Sequence, residues 1–232
     1  MKQVKQQLGM TLIELLIAML LGAVLITGVV QIFISSKQTN QLLEATARIQ
    51  ENGRFALSFI STDLVNAGFR QCLEEGFALV DAINGIDANR INRSDSLSIA
   101  WSTAACAASS ADTPFTSVSY YLDTGSGNQV SLYKKVGSAP ATELVEDIDN
   151  LQFLFGADTD GDGVPNYFVP AGTVGLDMAQ VMAVRISVVA RSAQQISARP
   201  VSYLLNNQVI TPVDRVIRRV FTSTILLRNR VQ

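Results

Sequence analysis

The chain has 232 residues, of which 48% are hydrophobic and 16% are charged, and its formal net charge is −2. This length suits a short membrane segment followed by one globular domain. The sequence contains no histidine, which removes the commonest general base and metal ligand, and its small negative charge gives no general attraction to nucleic acid. We therefore expect a protein that is not an enzyme and has no nucleic-acid partner.

The N-terminal part carries an almost entirely apolar run over residues 10–34, preceded by Lys2 and Lys5. As a helix this run would be about 37 Å long, enough to cross a hydrocarbon core of about 30 Å. A secretory signal peptide has the same order of charge and apolar residues. However, the run is long, and the segment SSKQTNQ that follows it offers no A-x-A cleavage site. We therefore expect the segment to be retained.

One carboxylate, Glu14, lies inside this apolar run. A charge in a membrane span is costly unless it pairs with another group or reaches an interface. The next basic residue along the chain is Lys37, so a cation for Glu14 must precede it or come from another molecule. A cut between Gly9 and Met10 would create an α-amino group one helical turn from Glu14, which could also meet Glu14 of a neighbouring chain.

The segment QQLGMTLIELLIAMLLGAVL resembles the signal of type IV pilins and pseudopilins, in which a short basic leader ends in glycine before an apolar helix. Gly9 matches that glycine, Met10 the first mature residue and Glu14 the glutamate of the family. Met10 stands where major pilins usually have phenylalanine, a departure that minor members tolerate. The resemblance implies that residues 1–9 form a leader, that prepilin peptidase cuts after Gly9 and methylates Met10, and that residues 10–34 form the transmembrane and filament-core helix.

Beyond Lys37 the pattern predicts that the same helix continues as an amphipathic segment over residues 35–68. Its apolar and core-facing positions recur at steps of three, four or seven, which is the period of a helix face. They are Leu42, Ile49, Ala56, Phe59, Ile60, Asp63, Leu64 and Ala67. We expect one helix of about 50 residues that stops near Gly68 and covers a sheet with its second half.

Strand patterns separated by turn residues follow the helix. Alternating or β-branched residues predict strands over 94–102, 116–123 and 129–136, with TGSGN as a hairpin loop between the last two. Residues 143–156 read as a helical turn that leads into a strand, and residues 181–192 as a central strand. Segments 137–142 and 197–212 are expected to be surface loops.

The chain closes with a strand whose two faces differ in polarity. Ile217, Phe221, Ile225 and Leu227 share one face, and Arg218, Thr222, Thr224 and Arg228 share the other. A helix followed by strands predicts an α+β fold in which a long N-terminal helix packs on a C-terminal antiparallel β-sheet domain. That domain would comprise residues 69–232.

Four segments resemble the PilW type of minor pilin: RFALSFISTDLVNAGFRQC, VEDIDNLQFLFGADTDGDG, VMAVRISVVARS and VFTSTILLRNR. The resemblance implies an inner-membrane prepilin with a periplasmic head domain, later incorporated at or near the tip of a type IV pilus at the cell surface. Its partners would be other minor pilins, the major pilin and prepilin peptidase, and its role would be to prime assembly of pili used in twitching motility. A GspJ-type minor pseudopilin of a type II secretion system is the alternative.

The two cysteines, Cys72 and Cys106, have no CxxC spacing, which argues against a zinc site or a redox dithiol. In an exported domain we expect them to form a disulfide, which would stabilise the fold by roughly 4 kcal/mol in the chain-entropy model. Two free buried thiols are the alternative.

An acidic segment, ADTDGDGVPNYFV, places Asp158, Asp160 and Asp162 at alternate positions with Gly163 next. This is the start of an EF-hand-like loop, whose carboxylates converge on Ca²⁺ because the glycine permits a sharp turn. The carbonyl of Val164 and the side-chain oxygen of Asn166 would complete the calcium ligands.

The twelfth position of this loop is Val169 rather than glutamate, which excludes a full EF-hand site unless Asp177 substitutes. A polar turn between two strands without a metal ion is the alternative.

Basic residues cluster near the C-terminal end of the chain. They could contact DNA, but no aromatic platform accompanies them, and we expect a solvated strand face instead. The residues are Arg215, Arg218, Arg219, Arg228 and Arg230.

Overall fold

The structure is a computed structural model that describes residues 11–70, 82–88, 90–102, 115–125 and 127–229. The chain divides into two units, Met1–Glu44 and Ala45–Gln232. Gly9, Met10, Cys72 and Cys106 lie outside the described residues. The cleavage site, the methylation and the disulfide therefore stay predictions.

Helix α1 runs from Leu12 to Leu64 and contributes residues to both units. In the first unit its apolar side chains are exposed, and the helix is long and apolar enough to cross a membrane. A turn after Leu64 leads to Gly68, whose φ of +75° lies in the left-handed region that ends helices. The predicted stop near Gly68 is confirmed.

The described part of the second unit contains eleven β-strands, all paired antiparallel within their sheets. In chain order they are β1 Ile83–Ile86, β2 Ser96–Trp101, β3 Thr116–Thr124, β4 Val130–Val136, β5 Thr142–Val145, β6 Ile148–Ala157, β7 Tyr167–Pro170, β8 Val181–Gln195, β9 Tyr203–Leu205, β10 Gln208–Ile210 and β11 Val216–Leu226. Two short 3₁₀-helices, Ile91–Arg93 and Met178–Gln180, accompany them.

The strands form two main sheets and one hairpin. One sheet has the order β1-β2-β3-β4-β5, the other has the order β11-β8-β6-β7, and β9 and β10 form a two-stranded hairpin. The predicted central position of the strand at residues 181–192 is confirmed, since β8 lies between β11 and β6. The observed fold is the predicted α+β arrangement of a long helix on antiparallel sheets.

The core of the second unit lies between α1 and both sheets. Ile49, Ala56, Ile60 and Leu64 are fully buried and join one cluster with inward-facing residues of the two sheets. Burial of an isoleucine or leucine side chain stabilises a fold by about 1.5–3 kcal/mol, and burial of an alanine by less. The amphipathic pattern of the helix therefore predicted its packing face.

Two residues of the predicted helix face are not part of the core. Leu42 is 43% exposed because it precedes the second unit, where the core begins. Phe59 is 42% exposed because, at 100° per residue, it lies at the margin of the stripe centred on Ala56 and Ile60.

Close approach of α1 to β11 depends on Gly53. This helix residue is buried, and a Cβ at its position would overlap the ring of Phe221. Phe221 in turn packs against the core cluster. Ile217 and Ile225, which were predicted to share its face of the strand, do the same. A glycine in mid-helix costs about 1 kcal/mol relative to alanine, and here that cost is offset by helix–sheet contact.

A buried polar cluster ties α1 to the five-stranded sheet. Asp63 accepts a hydrogen bond from the Tyr120 hydroxyl and forms an ion pair with Lys134 Nζ, both at 2.7 Å. Burial, together with the nearby Asp63 carboxylate, raises the pKa of Tyr120, so this phenol stays a neutral donor. Asp63 thus occupies the core face of the helix because its charge is matched there.

Another buried carboxylate joins the two sheets. Asp95, next to β2, accepts hydrogen bonds from the backbone N–H groups of Ala88 and Phe153, and Phe153 belongs to β6. Burial raises the pKa of Asp95 to about 6.

The secondary structure predicted for two segments was wrong. The expected helical turn at residue 143 is strand β5, which pairs with β4 and is followed by Asp147 at φ +57°, a kink that starts β6. The expected loop at 197–212 contains the β9–β10 hairpin. Its two-residue turn, Asn206 and Asn207, has positive φ at both positions, which is the type I′ turn that asparagine favours.

Candidate functional site

Glu14 lies in the first turn of α1. The backbone N–H of Glu14 donates to Thr11 Oγ1 at 3.4 Å, so Thr11 caps the helix, and T-x-x-E is the sequence of a capping box. The side chain of Glu14 makes no ion pair with any residue that the structure describes. A negative charge at this end of a helix is favoured by the helix dipole.

The surroundings of Glu14 are apolar and open. An 18-residue window of α1 has a mean hydropathy of 2.5, and none of that window is buried in the structure. Exposed side chains such as Leu12, Met19 and Phe33 would be unfavourable in water and need lipid or neighbouring helices around them. The arrangement can therefore present a carboxylate from an otherwise hydrophobic surface.

The acidic loop between β6 and β7 brings three predicted ligands together. Asp158, Asp160 and Asp162 each offer a carboxylate oxygen within 4.8 Å of the others. Oxygens that share one Ca²⁺ ion at 2.3–2.6 Å lie within about 5 Å of one another, so the spacing fits calcium. Asp158 also accepts backbone N–H bonds from Gly163 and Gly161, which lower the pKa of its carboxyl group.

The other predicted ligands are placed differently. Asn166 Oδ1 accepts hydrogen bonds from Thr159, and the amide nitrogen of Asn166 donates to Asp160 at 3.1 Å, so this residue closes the loop. The N–H of Val164 donates to Asp162 Oδ1 at 2.8 Å. Asp177 accepts from Ala179 N and caps the 3₁₀-helix Met178–Gln180.

A buried ion network was not predicted from the sequence. Arg218 was expected on a solvated face, but its side chain is only 7% exposed. Its Nε donates to Asp149 at 2.7 Å, and its two terminal nitrogens contact Asp214 at 2.6 and 2.8 Å. The prediction of a solvated face is therefore wrong for Arg218.

The network also offsets the repulsion between two arginines that lie opposite each other on neighbouring strands. Arg218 on β11 lies directly opposite Arg191 on β8, and like charges in cross-strand pairs repel. Asp149 lies between them, with one oxygen 2.7 Å from Arg218 and the other 3.8 Å from Arg191, while Asp147 lies 3.7 Å from Arg191. The alternating acids of the segment VEDID were the available sequence signal for this network.

Two parts of the sequence match known family models. Residues 4–30 match the prokaryotic N-terminal methylation motif, and residues 119–229 match the family described as Type IV Pilus-assembly protein W. Together the two matches cover more than half of the sequence and include Glu14, the acidic loop and Arg218. Taken with the fold, these matches support a type IV pilus minor pilin of PilW type. No curated protein matches the chain.

One solved structure agrees with the fold of this chain. The type IV-like pilin TTHA1219 from Thermus thermophilus superposes with a TM-score of 0.50 at 9% sequence identity, covering 80% of this chain and 99% of that one. The GspK-GspI-GspJ complex from the type 2 secretion system of enterotoxigenic Escherichia coli gives a TM-score of 0.37 at 14% identity, covering 77% and 97%. The first likeness supports a pilin fold, and the second is too low to bear on function.

Replacing Arg218 by glutamine should destabilise the head domain, because Asp149 and Asp214 would lose their shared cation. We expect the free energy of unfolding to fall by about 3 kcal/mol at pH 7, the lower end for a broken buried pair, since the side chain of Asp214 is 34% exposed. Urea unfolding of the full chain, followed by the fluorescence of its single tryptophan, Trp101, measures this change.

The loss of stability in Arg218→Gln should depend on pH. Arg218 lowers the pKa of Asp214 below its ordinary value of 3.8, so this stabilisation is complete above that pH and is lost as the pH falls through the lowered pKa. The difference between parent and Arg218→Gln should shrink accordingly. Exposed Arg215→Gln is the matched control, with an expected change below about 0.5 kcal/mol. Equal stability of parent and Arg218→Gln at pH 7 would contradict the structural role.

Proposed function

We propose that this chain is a non-enzymatic subunit incorporated at or near the tip of a type IV pilus, where it helps to prime assembly with other minor pilins and the major pilin. Before assembly it is held in the inner membrane by the apolar part of α1, with the head domain in the periplasm. Prepilin peptidase cuts between Gly9 and Met10 and methylates the new amine. The observation that supports this proposal is a glutamate that lies within the methylation motif, in an exposed apolar helix that precedes a PilW-type head.

The mechanism rests on the charge of Glu14. The described residues offer its side chain no cation, and every side chain of residues 11–21 is exposed. In our proposal, Glu14 pairs with the amine of Met10 in an adjacent subunit. Because an ion pair in an apolar medium is far stronger than in water, a subunit in the correct register is favoured over one displaced by a turn.

Glu14→Ala should block entry into filaments without preventing membrane insertion. Removal of the carboxylate makes the helix more apolar, so the variant stays in lipid, but it leaves the neighbour's amine without a partner. Immunoblots of the membrane fraction and of sheared, purified pili measure the two steps separately. Glu14→Gln, which keeps the shape without the charge, should behave like Glu14→Ala.

Glu51→Ala is the matched control, because Glu51 is an exposed acid on the same helix outside the apolar run. It should enter filaments at the parental level. Parental incorporation of Glu14→Ala would refute the proposed role of the carboxylate. If deletion of the gene abolished protein secretion and left piliation and twitching motility intact, the chain would act as a pseudopilin instead.

The intact mass of the protein extracted from membranes should equal that of residues 10–232 plus one methyl group, less the hydrogens removed by a Cys72–Cys106 disulfide. Reduction and alkylation of the cysteines before a second measurement test the disulfide separately. The control is the same chain made in cells without prepilin peptidase, which should retain residues 1–9. A mature protein that begins at Met1 in piliated cells would rule out processing.

We also propose that the acidic loop binds one Ca²⁺ ion. The hard carboxylate oxygens of Asp158, Asp160 and Asp162 suit this cation, and three like charges within 4.8 Å repel one another without it. The bound ion would hold the loop between β6 and β7 in shape and contribute to the stability of the head domain.

Asp160→Asn should weaken Ca²⁺ binding by at least about tenfold, since one of three anionic ligands is lost. Calorimetric titration of the full chain with CaCl₂ measures the affinity, and thermal unfolding with and without Ca²⁺ measures the stabilisation. Asp177→Asn is the control, because asparagine preserves the helix cap and Asp177 is not part of the cluster of three. An unfolding temperature that Ca²⁺ does not change in the parent would exclude the site.

A further inference from the structure

A groove crosses the face of the four-stranded sheet that points away from the core. Its volume is about 710 Å³, within the range of about 300–1,000 Å³ that is typical of small-ligand sites. Strands β6, β8 and β11 form the floor, β7 forms one wall, and the β9–β10 hairpin forms the other. The family resemblance and the proposed assembly role make no use of this groove.

Arg185 on β8 is held in place inside the groove. Its guanidinium carbon lies 4.2 Å from the centre of the Phe168 ring, and its Nε donates to Thr224 Oγ1 at 3.4 Å. Phe168 is paired across the strands with Gly156, and a Cβ at Gly156 would come within 2.7 Å of the ring. The glycine therefore lets the ring lie against the sheet and support the arginine, which fixes the direction of the guanidinium group.

No carboxylate neutralises Arg185 within the part of the chain that the structure describes. This distinguishes it from Arg191 and Arg218, which lie on the same sheet and contact Asp147, Asp149 or Asp214. An oriented guanidinium fork matches the geometry of a carboxylate, and such pairs are among the stronger hydrogen-bonded contacts in proteins. The groove is thus suited to a ligand that carries a carboxylate.

The remaining polar groups of the groove are neutral. Asn206, Asn207 and Gln208 on the hairpin offer both donors and acceptors, and on the floor the buried Ser187 hydroxyl lies 3.3 Å from both Thr222 Oγ1 and Asn206 Oδ1. Amide and hydroxyl groups of this kind pair with the hydroxyls of a sugar, each of which donates and accepts.

The two central strands of the floor cannot take up a peptide as an extra strand. Strands β6 and β8 are each paired on both sides, so their main-chain groups are used within the sheet. A peptide added as an extra strand would need an edge strand, β7 or β11, whereas over β6 and β8 the groove offers contacts through side chains.

From these observations we infer that the groove binds an acidic saccharide, with Arg185 contacting the sugar carboxylate and the hairpin amides contacting its hydroxyls. Such a site would give the head domain an affinity for carbohydrate that is separate from filament assembly. It does not depend on Glu14, on cleavage after Gly9 or on the pilus role.

The test uses the full-length chain in a detergent without a sugar headgroup and measures calorimetric binding of tri-galacturonate and of neutral galactotriose. We expect tri-galacturonate to bind at least about tenfold more tightly than galactotriose, and Arg185→Gln to remove that preference. Arg185→Lys, which keeps the charge but not the planar fork, should retain part of it. Arg219→Gln, an equal change of charge on the opposite side of β11, should bind as the parent does.

Trp101 fluorescence confirms that each variant is folded, and Arg185→Lys takes the place of Arg185→Gln if the latter does not fold. Three outcomes would overturn the inference. The first is no detectable binding of tri-galacturonate by the parent, and the second is an equal loss of binding in the Arg219 and Arg185 variants. The third is binding of tri-glutamate as tight as that of tri-galacturonate, which would assign the groove to acidic peptides.

Discussion

The cost of removing a carboxylate from water shapes both units of this protein. In the head domain, buried acids are matched by donors from distant parts of the chain: Asp63 by Tyr120 and Lys134, and Asp149 by Arg218. Each match lets a polar residue occupy a position that the fold would otherwise reserve for an apolar one. Glu14 differs from these acids, because the described part of its own chain supplies it with no cation. The head therefore matches these two carboxylates internally, whereas Glu14 on the apolar helix depends on what surrounds it.

The same contrast appears along α1. Residues Ile49, Ala56 and Ile60 follow the helical period and bury one face, as expected for a helix that covers sheets. In the first unit the apolar residues surround the helix on all sides, so no single face is selected. A helix that is hydrophobic all round needs lipid or other helices as neighbours. One continuous element thus carries two patterns, and the change of pattern separates the part that folds with the head from the part that needs a membrane or a filament.

Sequence patterns identified the features whose physics is local. Helix period predicted the buried stripe, and strand alternation predicted β2, β3, β4, β8 and β11. The acidic loop was also visible, because its three carboxylates lie within five residues of one another. One local feature was not predicted, the type I′ turn at Asn206 and Asn207. Paired asparagines between short apolar stretches are a hairpin signal.

The ion network could not be predicted in the same way. Asp149 and Arg218 are 69 positions apart and meet only because β6 and β11 both pair with β8. The arginine alternation in β11 looked like a solvated face, since nothing in the local sequence showed that acids from another strand would cover it. The groove has the same origin, because its walls and floor come from β6, β7, β8, β11 and the hairpin.

The charges along β8 show why one sheet can serve both structure and binding. Arg185 and Arg191 are six residues apart, so strand alternation places them on the same side of β8. At Arg191 the cross-strand neighbour is Arg218, and the repulsion between them requires the acids that close this end of the sheet. At Arg185 the cross-strand neighbours are Leu154 and Thr224, so the sheet is stable there without an acid. Structural need therefore accounts for the neutralised Arg191. Arg185, which has no acidic partner among the described residues and is stacked on Phe168 in a polar groove, can interact with an anion from outside the chain.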